Sequence, residues 1–252
     1  MTPYAVPARV AVLLLVAVLL GGLTGCGLVV PPATGPAGGG PTGRAGTSAT
    51  GDPAVLVARG TRLLGRVRVV PARPEVPGYD RDCGPGDGCV FGTSWSDDTD
   101  APSGRNGCDT RNDVLGAALT DVRFEAGTRG CDVVAGLLRD PFTGTAVDYA
   151  THGSQIHVDH LVPLAVAWDL GAASWTPARR AAFANDTARE LVAVSERANL
   201  SKGDSTPAEW LPPDPTARCG YVVDYLAVIA HYDLAVTAAD AATVRRVLRT
   251  GC

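Results

Sequence analysis

His157-Val158-Asp159-His160-Leu161-Val162-Pro163-Leu164 is the stretch whose reading decides the fold. Ile156 to Val162 has the aliphatic, β-branched content of a buried strand, and Pro163 to Leu170 reads as the helix that follows it. Alternation along a strand puts His157 and Asp159 on one face and Val158 and His160 on the other. Polar groups set into so apolar a strand are costly unless they are partnered or put to use. Three of the four histidines, His152, His157 and His160, crowd this region. The next polar set lies about 40 residues on, as Asn199-Leu200-Ser201-Lys202-Gly203-Asp204 and then Glu209-Trp210-Leu211-Pro212. Lys202 is the single lysine of the chain, against 21 arginines.

Outward from this stretch the chain alternates short strands and helices. Leu63 to Val70 predicts a strand, Thr110 to Leu119 a helix capped by Asp109 or Thr110, and Asp140 to Gly144 a turn. Pro177 to Phe183 predicts a helix begun by Thr176, Glu190 to Ser195 a strand, and Pro207 to Leu211 a short helix stopped by Pro212-Pro213. Cys219 to Tyr232 and Ala238 to Leu248 close the chain as amphipathic helices. The fold class is α+β. Arg59, Arg62, Arg66, Arg68 and Arg73 form a basic run, read as a solvated arm in a chain of net charge −4. Arg81 to Asn106 reads as a surface insertion in which Trp95 either packs or lines a cleft.

The one long apolar run, Val10 to Leu20, is too short to span a bilayer as a helix, which needs about 20 residues. It follows Arg9 and ends at Leu23-Thr24-Gly25-Cys26, which resembles the bacterial lipobox, so residues 1–26 are expected to be a lipoprotein signal lipidated at Cys26. The Gly- and Pro-rich stretch 27–53 is expected to be a flexible tether, and 54–252 the folded domain. Setting Cys26 aside leaves Cys83, Cys89, Cys108, Cys131, Cys219 and Cys252, an even set suited to three disulfides in an oxidising compartment. Sequence leaves about 15 connectivities open. The favoured one joins Cys83 with Cys89, Cys108 with Cys131, and Cys219 with Cys252. No pair has the two-residue spacing of a zinc knuckle.

The ordered set Asp159-His160-Leu161-Val162-Pro163-Leu164, Ala198-Asn199-Leu200-Ser201-Lys202-Gly203-Asp204 and Pro207-Ala208-Glu209-Trp210 resembles the secreted actinobacterial HNH endonucleases, relatives of the HNH domain of GmrSD-type restriction enzymes. The likeness runs from about Val67 to Cys252 and takes in Gly78-Tyr79-Asp80-Arg81, Asn106-Gly107-Cys108-Asp109-Thr110-Arg111 and Asp140-Pro141-Phe142-Thr143-Gly144. The resemblance implies a ββα-metal (His-Me finger) core with added helices and disulfide-pinned loops. It makes His160 the general base, Asp159 a metal ligand and Asn199 the final ligand. A neutral imidazole takes a proton from water near pH 7 better than a carboxylate does. Carboxylate and amide oxygens are hard donors, which suits Mg²⁺, with Mn²⁺ as its substitute.

Glu190 stands where the family often has Asn or Gln, and its carboxylate accepts but cannot donate. The resemblance gives that position the task of bonding the loop that carries His160. His157 is a candidate second metal or phosphate contact. Arg111, a cation in the first turn of a helix where the macrodipole opposes it, is a candidate phosphate contact, with a local ion pair as the bland alternative. Lys202, Asp204 and Glu209 are expected to support the last loop. The activity implied is an extracytoplasmic, membrane-anchored, metal-dependent endonuclease cutting DNA, or RNA by the same chemistry, with little sequence preference. A wall-polymer phosphodiesterase and a degenerate envelope-binding lipoprotein are the alternatives.

Overall fold

The computed structural model describes residues 51–252, so Cys26, the signal and nearly all of the tether fall outside the described residues. Asp52 accepts a hydrogen bond from the Ala54 N–H at 2.8 Å, and Pro53 fills the first helical position, so helix α1 starts there and runs Pro53–Leu64. This corrects the strand expected over Leu63 to Val70. Only Arg68–Val70, β1, is extended. Leu56 and Gly60 lie one turn apart and give α1 a buried stripe, and helix packing overrides the local β-branched content. At Gly60 an added Cβ would come within 2.7 Å of Leu248. The basic run is thus partly helical, with Arg59 paired to Asp224 at 3.7 Å.

Helix α2, Thr110–Ala118, is capped by the Asp109 side chain, which accepts from the Asn112 N–H. Strands β2 (Thr120–Phe124), β3 (Val133–Arg139) and β4 (Ala146–Asp148) make an antiparallel sheet in that order. After the short α3, Tyr149–His152, comes β5, Ile156–His160. Two helices, α4 (Leu164–Asp169) and α5 (Pro177–Ala184), precede β6, Leu191–Ser195, which returns antiparallel to β5 with His160 opposite Leu191 and His157 opposite Val194. Helix α6, Glu196–Lys202, follows at once and packs on both strands. Helix α7 (Arg218–Tyr232), β7 (Ala235–Thr237) and α8 (Ala238–Thr250) close the chain, β7 pairing parallel with β1.

The helix expected at Pro207 to Leu211 is a turn. The Glu209 and Trp210 N–H groups both reach the Thr206 carbonyl, and Glu209 Oε2 accepts from the Thr206 N–H at 2.8 Å. Pro212-Pro213 stop the segment after these bonds, so it closes as a single turn.

The β5–β6 pair lies between two apolar cores. Alternation sends Ile156, Val158, Leu191 and Ala193 into a core shared with α2 and β3, and Val192 and Val194 into a larger one built by α4, α7 and α8. The larger core also takes Leu161 and Val162, the residues that leave β5, so the strand pair and its exit loop are gripped from both sides. The three disulfides join Cys83 with Cys89, Cys108 with Cys131 and Cys219 with Cys252. They leave no cysteine among the described residues for zinc.

Candidate active site

The loop leaving β5 is tied to the turn before β6. The Leu161 N–H donates to the Glu190 carbonyl at 2.8 Å, and the Val162 N–H donates to Glu190 Oε1 at 3.2 Å. Glu190 is fully buried, and burial pushes its carboxyl well above the usual range. The bond it makes needs only an acceptor, so a carboxyl serves where an amide oxygen would.

His160, the last residue of β5, is half-buried, and its Nε2 lies 3.0 Å from the Ala184 carbonyl oxygen. A carbonyl only accepts, so Nε2 carries the hydrogen and Nδ1 bears the lone pair. The Trp95 indole stacks over the ring, centroids 6.2 Å apart and planes 13° apart. Burial lowers the His160 pKa to about 3 against the opposing pull of the Ala184 carbonyl, which keeps the imidazole neutral at neutral pH.

Asp159 and His157 look the other way, onto α6, as strand alternation requires. Lys202 Nζ donates to Asp159 Oδ1 at 3.0 Å and to the His160 carbonyl at 2.8 Å. Asp159 Oδ2 is buried and has no hydrogen-bond partner. Burial raises the Asp159 pKa, and the Lys202 charge opposes the rise. One turn before Lys202, Asn199 Nδ2 lies 3.0 Å from His157 Nδ1, which leaves its amide oxygen unbonded. His157 Nε2 points toward Glu196 at 3.8 Å.

Helix α6 is placed by its cap. The Ser195 hydroxyl accepts from the Ala198 N–H and donates to Asp140 Oδ2 at 2.5 Å. Asp140, itself buried, also accepts from the Phe142 N–H and the Thr143 hydroxyl, so the Asp140–Gly144 turn anchors the helix that carries Asn199 and Lys202.

A cleft of about 190 Å³ opens over these residues, lined by Tyr79, Arg81, Asp159, His160, Asn199 and Asp204. A narrower recess continues from Arg81 and His160 past Ser94, Trp95 and Asn185. The structure thus brings His160, Asp159, Asn199 and Asp204 to one cavity, with Lys202, His157 and Glu190 supporting it. Glu209 stays with its turn. Arg111 bonds Tyr149 Oη at 3.3 Å and the Ile156 carbonyl at 3.4 Å, at the opposite end of β5 and roughly 13 Å of strand from His160. Sequence reasoning gave Arg81 no role and left Trp95 undecided. Arg81 had one signal, its place in the Gly78-Tyr79-Asp80-Arg81 motif, and Trp95 had none beyond its place in the insertion.

Among the described residues no three His, Cys, Asp or Glu side chains converge as a metal cluster. Asp159 and Asn199 both line the cleft, and the buried, unpartnered Asp159 Oδ2 and the Asn199 amide oxygen are hard oxygens of the kind that hold Mg²⁺ together with waters and phosphate oxygens. The donor set fits such an ion.

The family model of the GmrSD restriction endonucleases, C-terminal domain, matches residues 109–247. The chain belongs to the GmrSD C-terminal domain family. The matched segment begins at the cap of α2 and ends in α8, so it contains β5, β6, α6 and every residue that bonds His160, Asp159 or Asn199. Tyr79, Arg81 and Trp95 lie upstream of it. A protein of Arthroderma benhamiae described as an uncharacterized secreted protein is 34% identical over 189 residues, covering 75% of this chain and 82% of its own length. That relative is fungal, so it lends nothing to the actinobacterial part of the resemblance. No solved structure matches the chain.

Proposed function

We propose that this GmrSD-family chain is a metal-dependent endonuclease of the ββα-metal type, with β5, β6 and α6 as its core. The observation that carries the reading is the fixed tautomer of His160, whose Nε2 is spent on Ala184 while Nδ1 is left as an acceptor beside a cleft holding Asp159 and Asn199. His160 Nδ1 takes the proton of a water. That transfer accompanies the water's attack on phosphorus, since a base held at a pKa of about 3 releases no free hydroxide; the bond to the leaving oxygen breaks, that oxygen takes up a proton, and the phosphodiester is hydrolysed. Asp159 and Asn199 would hold a divalent ion, Mg²⁺ or Mn²⁺, which when bound stabilises charge on the phosphate and the leaving oxygen. Lys202 and Glu190 keep the Asp159-His160 pair and its exit loop in place.

A site that addresses the phosphodiester carries no sequence information by itself, in keeping with DNA or RNA cleavage of low specificity. Three disulfides and a relative described as secreted support an extracytoplasmic location. Within that location we assign residues 1–26 to the signal, Cys26 to the lipid anchor, 27–53 to the tether and 54–252 to the nuclease domain. Plasmid and RNA cleavage with Mg²⁺, with Mn²⁺ and with EDTA tests the activity. Conversion of supercoiled plasmid that EDTA abolishes is expected, and no cleavage under any condition overturns it. For the anchor, wild type is expected in the membrane fraction and Cys26→Ser in the medium; equal release of both removes it.

A further inference from the structure

Arg81 lines both the wider cleft and the recess behind it, and it is the one lysine or arginine that does so among the described residues. Its guanidinium is exposed and makes no hydrogen bond or ion pair within the described chain, in contrast to Arg73, Arg105, Arg179, Arg180 and Arg189, each of which is bonded. The other ionisable side chains lining the cleft besides His160 and Tyr79 are acidic, the exposed Asp204 and the buried, Lys202-paired Asp159, so Arg81 is the one cation a substrate meets there.

The backbone around Arg81 is nonetheless fixed. The Val90 N–H donates to the Asp80 carbonyl at 2.9 Å and the Cys89 N–H to the Asp82 carbonyl at 2.8 Å, bracketing Arg81 on both sides. The Asp80 carboxylate accepts from the Asp82 and Gly88 N–H groups, and the Cys83–Cys89 disulfide closes the loop. Tyr79 anchors the near end against Phe91 and Trp168. A loop held by these bonds that delivers one solvent-exposed cation, without a partner among the described residues, to the cleft is built for an anionic ligand.

We infer that Arg81 is a substrate-binding residue that grips a phosphate oxygen of the nucleic-acid strand beside His160, with the Cys83–Cys89 loop as its mount. This rests on the nuclease reading of the cleft and adds to it a contact from upstream of the matched segment 109–247. A planar guanidinium gives two parallel hydrogen bonds to a phosphate, whereas an ammonium acts as a point charge.

The test uses Arg81→Gln and Arg81→Lys with two readouts: binding of a short labelled duplex in EDTA across a salt series, and steady-state cleavage with Mg²⁺. Arg81→Gln is expected to raise Kd roughly 10- to 100-fold, the loss of a charge-assisted hydrogen bond. Its slope of log Kd against log salt should fall by about one, and its cleavage should drop through KM more than kcat. Arg81→Lys should recover part of the binding. Melting temperatures should match wild type, because the side chain is exposed. Unchanged affinity, salt slope and KM in Arg81→Gln overturn the inference while leaving the nuclease reading intact. A wild type that cuts nothing overturns the nuclease reading and this inference with it.

Discussion

Lys202 Nζ lies 3.0 Å from Asp159 Oδ1 and 2.8 Å from the His160 carbonyl, so a single buried cation on α6 holds two consecutive residues of β5. Removing one partner of a buried ion pair leaves an uncompensated charge and costs about 3–5 kcal/mol. Asp159, whose pKa burial raises, escapes part of that cost by taking up a proton. Lys202→Met is therefore expected to lose about 3 kcal/mol in urea denaturation and most of its cleavage. The double variant Lys202→Met/Asp159→Asn should regain much of the stability and none of the activity. A single-variant loss below about 1 kcal/mol, the range of exposed pairs, would show that the clamp is not what holds β5.

Glu190 offers a prediction with a pH sign. Its folded pKa lies well above the ordinary 4.5, because burial disfavours the carboxylate. Between 4.5 and that raised value the unfolded chain gives up the proton while the folded chain keeps it, so this residue's stability contribution is present at acid pH and declines as pH rises. Glu190→Gln, whose amide oxygen still accepts from the Val162 N–H, should flatten that decline and fold at least as well at pH 7. Glu190→Leu orphans a buried N–H and should cost about 1–3 kcal/mol. Melting temperatures of the three proteins between pH 4 and 8 decide it, and parallel curves for wild type and Glu190→Gln would remove the titration from the account.

Much of this site is readable from local sequence because local rules place it. Period-two alternation alone separates Asp159 from His160, and the structure puts them on opposite faces, one toward Lys202 and the other toward Trp95. Thr176-Pro177 and Asp109 announce their helices through capping chemistry that acts within four residues. What sequence does not yield is set by contacts across long separations. The helix at Pro53–Leu64 bears a local mark too, Asp52 as its cap and Pro53 at its first position, but how far it runs is decided by the packing of Gly60 against Leu248 and Val223, which no local rule supplies. Ala184 reaches His160 with a backbone carbonyl, a group that every residue carries and no motif marks. Arg81 is marked in sequence only as the end of Gly78-Tyr79-Asp80-Arg81, with no role, until the fold brings it to the cleft.

Arg111 illustrates the same point from the other side. Its position in the first turn of α2 calls for a compensating partner, and the structure supplies Tyr149 Oη and the Ile156 carbonyl. The first bond ties α2 to α3 and the second ties α2 to the start of β5. Arg111→Lys cannot reproduce two divergent bonds and should lose about 1–2 kcal/mol of stability, with cleavage per folded molecule unchanged. A melting curve beside a substrate titration separates the cases, and weakened substrate binding at full stability would return Arg111 to the substrate.

His160 has two separable jobs, a hydrogen bond from Nε2 to Ala184 and a lone pair on Nδ1, and a pair of variants tells them apart. His160→Ala removes both and is expected to slow cleavage by about 10²- to 10⁴-fold, the range for a lost general base. His160→Gln keeps an N–H donor for the Ala184 carbonyl but presents no basic nitrogen, since an amide does not take a proton near neutral pH. If proton transfer is the catalytic role, the two variants should be equally slow and bind duplex in EDTA like wild type, with His160→Gln melting close to wild type and His160→Ala below it because the Ala184 carbonyl loses its partner. Should His160→Gln retain near-normal rates, the side chain would be serving as a spacer between β5 and α5, and the base would have to be sought among the other groups that line the cleft.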